Sequence, residues 1–240
     1  MRVLPDASLA IVRRMSNAAG AKASREEEIA FLIMEDVLGV DIRLADAGAG
    51  NQKPDGAWVS TDARGRRGIV EITSPPDKEL LKEWARAKRD GEPQSESGSV
   101  PLRLNELDQV CTELLAEEWA LENIAKLRAE PADERHLFLF GRSERIQHYF
   151  KRLSDDYGNG QAEHVDDLVL PEGLDSVWFR GRAVRRTEWS TRVWVARFAS
   201  GSGWNRHTVD IDERQLPSPN PGMVDDKVPA ELRIPKDRSH

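Results

Sequence analysis

The spacing of apolar residues predicts a helix as the first regular element of the chain. One apolar face is formed by residues at positions i, i+3, i+4 and i+8, namely Ile29, Leu32, Ile33 and Val37. Ser24 and Glu27 have the spacing of a capping box, in which a hydroxyl and a carboxylate satisfy free N–H groups of the first turn. Gly39 is suited to the C-terminal cap. The pattern therefore predicts a helix that begins after Ser24 and ends at Gly39.

Short runs of alternating apolar and polar residues then predict a strand and a hairpin. The strand covers residues 40–44, and a Gly- and Ala-rich loop follows over 46–52. The hairpin has strands over 57–60 and 68–73 around a polar turn at 61–67. Pro75 and Pro76 end its second strand because proline cannot donate a ladder hydrogen bond.

The remainder of the chain mixes helical and strand patterns. Helices are expected over 78–89, over the long pattern of 104–128 and over 144–153; strands are expected over 136–140, 176–182, 192–198 and 207–211. Polar segments at 90–98 and 155–173 are predicted loops. The last 25 residues contain five prolines and little periodicity, which is typical of an extended tail.

These elements predict an α/β protein in four segments. Residues 1–23 form an N-terminal segment, 24–154 an α/β core, 155–215 a β-rich extension containing arginine and tryptophan, and 216–240 the Pro-rich tail. With 240 residues the chain is long enough to bury a sizeable core without disulfides or structural metals.

Composition narrows the classes of function. Hydrophobic residues make up 39% and charged residues 32% of the chain, which is ordinary for a globular protein. Cys111 is the only cysteine, so a cysteine-built zinc site is excluded, and we expect a cytoplasmic protein and no membrane partner. The net charge of -7 argues against a protein that coats nucleic acid with its whole surface.

A local basic stretch departs from this acidic average. Between Trp178 and Arg206 the chain has seven arginines and one acidic residue, Glu188, interleaved with aromatic side chains. Arginine contacts phosphates and aromatic rings stack on bases, so this stretch, which we call the basic strip, is a candidate nucleic-acid surface. Alternation along amphipathic strands explains the same pattern without a ligand. The predicted contacts are Arg180, Arg182, Arg185, Arg186, Arg192 and Trp204.

The hairpin carries the candidate chemistry. If its turn centres on Ala63, paired residue numbers sum to 126 and Asp55 lies opposite Glu71. Opposed like charges in an antiparallel pair are destabilising. A hard divalent cation, a raised pKa or a nearby arginine would offset that repulsion. The hairpin acids therefore predict a Mg²⁺ or Mn²⁺ site, with simple solvation of the two acids as the alternative.

The segments Lys53-Pro54-Asp55-Gly56 and Gly68-Ile69-Val70-Glu71-Ile72-Thr73 resemble the PD-(D/E)XK nuclease superfamily, and the order of elements over residues 20–145 is also similar. The resemblance implies a restriction-endonuclease-like core and metal ligands at Asp55 and Glu71. It further implies a third ligand from the first helix, for which Glu28 is the candidate and Glu27 the second choice.

The sequence departs from this family at Thr73, where the family has a catalytic lysine. Threonine can position a water molecule but supplies no positive charge. Lys53, Lys78 and Lys82 are the nearest lysines in sequence that could replace it. The candidate catalytic residues are therefore Asp55, Glu71, Thr73 and Lys53.

The sequence thus favours a Mg²⁺- or Mn²⁺-dependent nuclease, with DNA favoured over RNA and a homodimer allowed. The first alternative is a catalytically inactive nuclease-like protein that binds nucleic acid or a protein partner. The second is an α+β interaction protein whose hairpin acids are coincidental. An ammonium near Asp55 and Glu71 would favour cleavage, whereas an arginine salt bridge filling the site would favour the inactive form.

Overall fold

The protein, described as a computed structural model, has mixed α/β architecture built on one seven-stranded sheet. This confirms the predicted α/β class. The structure describes residues 22–46, 53–61, 64–76, 78–91, 102–155, 168–217, 228, 230–234 and 236–238. Outside the described residues lie positions 92–98 of the predicted loop at 90–98 and most of the predicted N-terminal segment and tail, whereas Asp90 is helical.

The helices and strands follow the order expected from the sequence. The helices are α1 (Arg25–Leu38), α2 (Lys78–Asp90), α3 (Leu107–Ala116), α4 (Glu118–Ala129) and α5 (Glu144–Ser154). The strands are β1 (Arg43–Leu44), β2 (Gly56–Val59), β3 (Arg67–Thr73), β4 (Glu134–Phe140), β5 (Ser176–Arg185), β6 (Ser190–Ala199) and β7 (Gly203–Asp212). Short 3₁₀ turns occur at Leu104–Glu106, Glu213–Gln215 and Ala230–Leu232. Among the described helices none is long and apolar enough to cross a membrane.

The strands lie in the sheet in the same order as in the chain. β3, β4 and β5 are parallel neighbours, and the other neighbouring pairs are antiparallel. Parallel neighbours need long crossover connections, and the segments containing α2–α4 and α5 supply them. The three strands of the predicted β-rich extension therefore continue the sheet of the predicted core.

Two apolar layers cover the sheet. α3, α4 and α5 pack on the face formed by alternate residues such as Ile69, Leu137 and Phe179. α1 packs on the opposite face, against Val70 and Trp178 among others. Side chains of one strand alternate between these faces, so the parity of a residue decides which helices it meets.

The capping prediction for α1 is confirmed, whereas its buried face is rotated from the prediction. Ser24 and Glu27 form both bonds of the capping box, and Gly39 caps the other end with a left-handed φ of 66°. Phe31 and Met34 are fully buried, while Leu32 of the predicted stripe is only partly buried. The sheet and residues 236–238 contact α1 from different sides, so burial extends beyond a single predicted stripe.

The long helical pattern at 104–128 is divided in the structure. Glu117 has extended dihedral angles, φ -69° and ψ 151°, and separates α3 from α4. This break lets both helices bury apolar residues on the same face of the sheet, with Leu115 and Leu127 both in that core. It also fixes where α4 crosses β3 and β4, which determines the surroundings of the hairpin acids.

Candidate functional site

The hairpin register places Asp55 opposite Glu71, as predicted. Gly56 pairs with Val70 and Ala57 with Ile69, so paired residue numbers sum to 126. The Asp55 carbonyl also accepts a hydrogen bond from Ala45, which continues the ladder toward β1. Both acids therefore lie on the sheet face that α3–α5 cover.

Close packing of an aromatic ring against a glycine fixes this register. Trp58 pairs with Gly68, and a Cβ added at Gly68 would lie 2.1 Å from the Trp58 ring. The ring is almost fully buried, so a shift of one residue would place a side chain in its space. Trp58 therefore helps to hold Asp55 and Glu71 in opposition.

A lysine from α4 neutralises one oxygen of the pair. The Lys126 ammonium lies 2.7 Å from Oε1 of Glu71, in an ion pair whose side chains are 24% and 6% exposed, respectively. Oε2 of Glu71 is buried and has no hydrogen-bond partner among the described residues. Oδ2 of Asp55 accepts the backbone N–H of Ile72 at 2.6 Å. Each carboxylate thus has one oxygen held by the protein and another to which the described residues donate no hydrogen bond.

Both carboxyl groups titrate above their ordinary range. Burial, reinforced by the charge of Asp55, raises the pKa of Glu71 to about 7 despite its bond to Lys126. Burial likewise raises the pKa of Asp55 to about 6, although the Ile72 N–H and the Lys126 charge oppose the shift. The ionised pair is therefore electrostatically costly, which is the condition that a divalent cation relieves.

The donor set fits a hard divalent cation in part. Carboxylate oxygens are the protein ligands that Mg²⁺ prefers, and the unbonded Glu71 oxygen lies beside a second carboxylate. However, the described residues contain no group of three or more His, Cys, Asp or Glu side chains that could hold a metal ion. The protein thus offers a two-carboxylate site, which requires water or substrate oxygens as the remaining ligands.

Glu28, the third ligand expected from the family resemblance, lies in a different cluster. Its Oε1 and Oε2 accept hydrogen bonds from Arg238 at 2.8 and 2.7 Å, and both side chains are buried. Arg238 also binds Glu35 and packs its guanidinium over the Phe31 ring. Because α1 covers the sheet face opposite to Glu71, the structure does not bring Glu28 to the acid pair.

Two predicted catalytic residues remain, Thr73 and Lys53. Thr73 is the last residue of β3 and has the same parity as Glu71, so its hydroxyl belongs to the same face. Lys53 is exposed, two residues before Asp55. Sequence reasoning missed Lys126, which lies more than 50 residues from both acids and meets them only because α4 crosses this face.

The basic strip is largely committed to contacts within the protein. Arg192 forms a bidentate pair with Asp210, and Arg182 pairs with Asp155 and stacks 4.1 Å from the Trp194 ring centre. Trp204 packs against the aromatic core. Arg182 is exposed despite these contacts, as are Arg185 and Arg186 at the turn between β5 and β6, and Arg180 is half-buried. The role of the basic strip in binding nucleic acid stays a prediction.

Comparison with protein-family models, with curated proteins and with solved structures finds no match.

Proposed function

We propose that this protein is a divalent-metal-dependent nuclease that hydrolyses phosphodiester bonds in DNA or RNA. The observation that carries the proposal is the opposition of the half-buried Asp55 to the buried Glu71, with the Lys126 ammonium on one Glu71 oxygen. The succession of α1, β1, the β2–β3 hairpin, the crossover helices and parallel β4 supports it. That succession is the one implied by the resemblance to the PD-(D/E)XK nucleases, and we propose a restriction-endonuclease-like core on the same grounds.

Asp55 and Glu71 would hold Mg²⁺ or Mn²⁺. When bound, such an ion polarises a phosphoryl oxygen and lowers the pKa of its water ligand. The backbone N–H of Ile72 holds Asp55 in place, and Lys126 holds Glu71 in place. These contacts fix one oxygen of each carboxylate and leave the other to bind the ion.

Lys126 supplies the positive charge that Thr73 lacks. Its side chain is 24% exposed, so its ammonium can donate to a phosphate oxygen or to the attacking water while it remains beside Glu71. The Thr73 hydroxyl, on the same face, can orient that water. In this proposal Lys126 acts from a helix at the place where the family resemblance implies a lysine on the strand.

An inactive nuclease-like protein is the second candidate. Two observations favour it. Position 73 is a threonine, and Glu28 forms an ion pair with Arg238, so that among the described residues only Asp55 and Glu71 remain as carboxylates of the site. This candidate retains binding of nucleic acid or of a protein partner but predicts no hydrolysis.

The deciding experiment compares wild type with Asp55→Ala on single- and double-stranded DNA and RNA, with and without Mn²⁺. Glu26→Ala is a matched control, since Glu26 is an exposed acid that pairs with Arg142. We expect wild type and Glu26→Ala to degrade at least one substrate only with Mn²⁺, and Asp55→Ala to be inactive. Equal inactivity of all three proteins on every substrate would overturn the nuclease proposal.

A further inference from the structure

Arg180 differs from the other arginines of the basic strip because its guanidinium is half-buried and forms no hydrogen bond with any residue that the structure describes. Its Nε is buried, and no described residue accepts a hydrogen bond from it. Its contacts are a distant one with the Phe140 ring, 6.0 Å from the ring centre, and a longer-range interaction with Glu26. Burial lowers the pKa of Arg180, and the charge of Glu26 opposes this shift without cancelling it. An unpaired buried guanidinium is costly, so this side chain calls for an anionic partner.

Other arginines of the basic strip have hydrogen-bond acceptors within the protein. Arg192 has two bonds to Asp210, Arg197 donates from Nε to Ser176, and Arg206 donates from Nε to a backbone carbonyl. Glu26 is not such an acceptor for Arg180, because its carboxylate accepts a hydrogen bond from Arg142 at 3.1 Å. Arg180 is therefore the strip's best-placed group for an external anion.

A second unsatisfied polar atom lies at the same level of the sheet. Arg180 pairs with Phe140 of β4, and Ser74 directly follows the pair formed by Thr73 and Leu139. Continuing the register places Ser74 beside Phe140, on the face covered by α1. The Ser74 hydroxyl is buried and has no hydrogen-bond partner among the described residues. A hydroxyl and a guanidinium, two strands apart, thus flank the Phe140 ring at the carboxyl edge of the parallel strands.

This edge lies close to the acid pair. Glu71 pairs with Leu137 and Leu137 with Val177, so Arg180 is two strands across and three residues further along. Standard strand geometry gives a Cα separation of about 14 Å. Arg180 and Ser74 lie on the α1 face and Glu71 lies on the opposite face, so a nucleic-acid strand that contacts both places passes over the carboxyl edge of β3–β5. Such a path spans at least about four nucleotides at a rise of about 3.4 Å each.

We propose that Arg180, assisted by Ser74, binds a backbone phosphate of the nucleic acid a few nucleotides from the bond that is cleaved. The inference rests on the proposed function in taking nucleic acid as the ligand. Arg180 is a positioning residue in this account, because it lies away from the reacting atoms. Arginine suits the task since its planar fork binds phosphate in two hydrogen bonds.

The test measures binding of a fluorescent 12-base-pair DNA duplex in EDTA, where no metal-dependent cleavage occurs, at several salt concentrations. Arg180→Met is the test variant, Ser74→Ala the secondary one, and Arg192→Met the matched control from the same strip. We expect Arg180→Met to weaken binding roughly tenfold and to lower the salt slope by about 0.9. Ser74→Ala should weaken binding about threefold, and Arg192→Met should keep the wild-type slope and an affinity within about twofold.

Thermal unfolding separates a binding role from a structural one. Methionine fills the site beside Phe140 without an unpaired charge, so Arg180→Met should match or exceed the wild-type Tm. A lower Tm with unchanged DNA affinity would assign Arg180 to the fold and overturn the inference. Unchanged affinity and salt slope in Arg180→Met, with Mn²⁺-dependent cleavage retained, would overturn this inference alone. Binding that depends on Arg180 in a protein that never cleaves would keep this inference and remove the nuclease proposal.

Discussion

Two buried carboxylate clusters lie on opposite faces of the sheet, and they are satisfied to very different degrees. On the α1 face, Arg238 binds both oxygens of Glu28 and also reaches Glu35. On the α4 face, Lys126 binds one oxygen of Glu71 while the other has no partner among the described residues, and Asp55 lies opposite. The first cluster is complete within the protein, whereas the second is left short of positive charge.

This difference favours a structural role for the first cluster and supports the proposed functional role of the second. Buried ion pairs stabilise a fold only when each charge is compensated and hydrogen-bonded, a condition that the Arg238 cluster meets. The acid pair keeps a raised pKa on both members despite Lys126. Such a pair costs stability, and a strained charged pair is typical of sites that bind or react.

The largest predicted effect is on the complete cluster. Arg238→Ala removes the partner of Glu28 and part of the neutralisation of Glu35, so it leaves buried negative charge uncompensated. We expect a loss of about 3–5 kcal/mol in the free energy of unfolding, measured by urea denaturation. Lys236→Ala is the matched control: this partly exposed lysine also pairs with Glu35 and should cost less than about 1 kcal/mol. Equal losses in both variants would contradict a structural role specific to Arg238.

Lys126→Met tests the incomplete cluster through activity. The substitution removes the ammonium beside Glu71 but keeps the length and much of the volume of the side chain. If the proposed function holds, the rate of Mn²⁺-dependent cleavage should fall about 100-fold or more in protein shown to be folded by circular dichroism. Lys88→Met, on an exposed position of α2, should keep the wild-type rate. A Lys126→Met enzyme with wild-type kcat would exclude Lys126 from catalysis.

Glu71→Gln should stabilise the metal-free protein at pH 8, the opposite sign to Arg238→Ala. Because the folded pKa of Glu71, about 7, exceeds its ordinary value of 4.5, its contribution to stability is complete below pH 4.5 and is lost as pH rises through 7. The neutral glutamine avoids that loss, so we expect a gain of roughly 1–3 kcal/mol in EDTA at pH 8.

The pH dependence of this gain is the sharper test. At pH 4, where Glu71 is protonated in both the folded and the unfolded state, the gain should disappear. Glu134→Gln is the control of opposite sign, because His136 holds the pKa of Glu134 below its ordinary value and the amide loses that interaction. A gain that persists unchanged at pH 4 would show that charge is not its cause.

The hairpin shows what local sequence determines. Turn position and alternation predicted the opposition of Asp55 and Glu71, because register follows from a constant sum of paired numbers. The capping box at Ser24 was equally local, and both predictions are confirmed. Patterns of this kind depend on residues within about 20 positions of one another.

The partners of the two carboxylate clusters could not be predicted in the same way. Lys126 reaches Glu71 because α4 begins after the break at Glu117, a break that the continuous apolar pattern conceals. Arg238 reaches Glu28 across 210 residues, from a Pro-rich tail whose sequence predicts no contact. Each contact depends on how distant elements pack, so the family resemblance assigned Glu28 to the metal site and the sequence pattern overlooked Lys126.

The most direct test of the central claim is Mn²⁺ binding at pH 8, measured by the electron paramagnetic resonance signal of the free ion. We predict that wild type and Glu28→Gln, each checked as folded by circular dichroism, bind one Mn²⁺ with affinities within about threefold. Asp55→Asn and Glu71→Gln, which leave the hairpin register unchanged, should each weaken binding at least about 30-fold. Wild type that binds no Mn²⁺, or a Glu71→Gln variant that binds as tightly as wild type, would contradict the account.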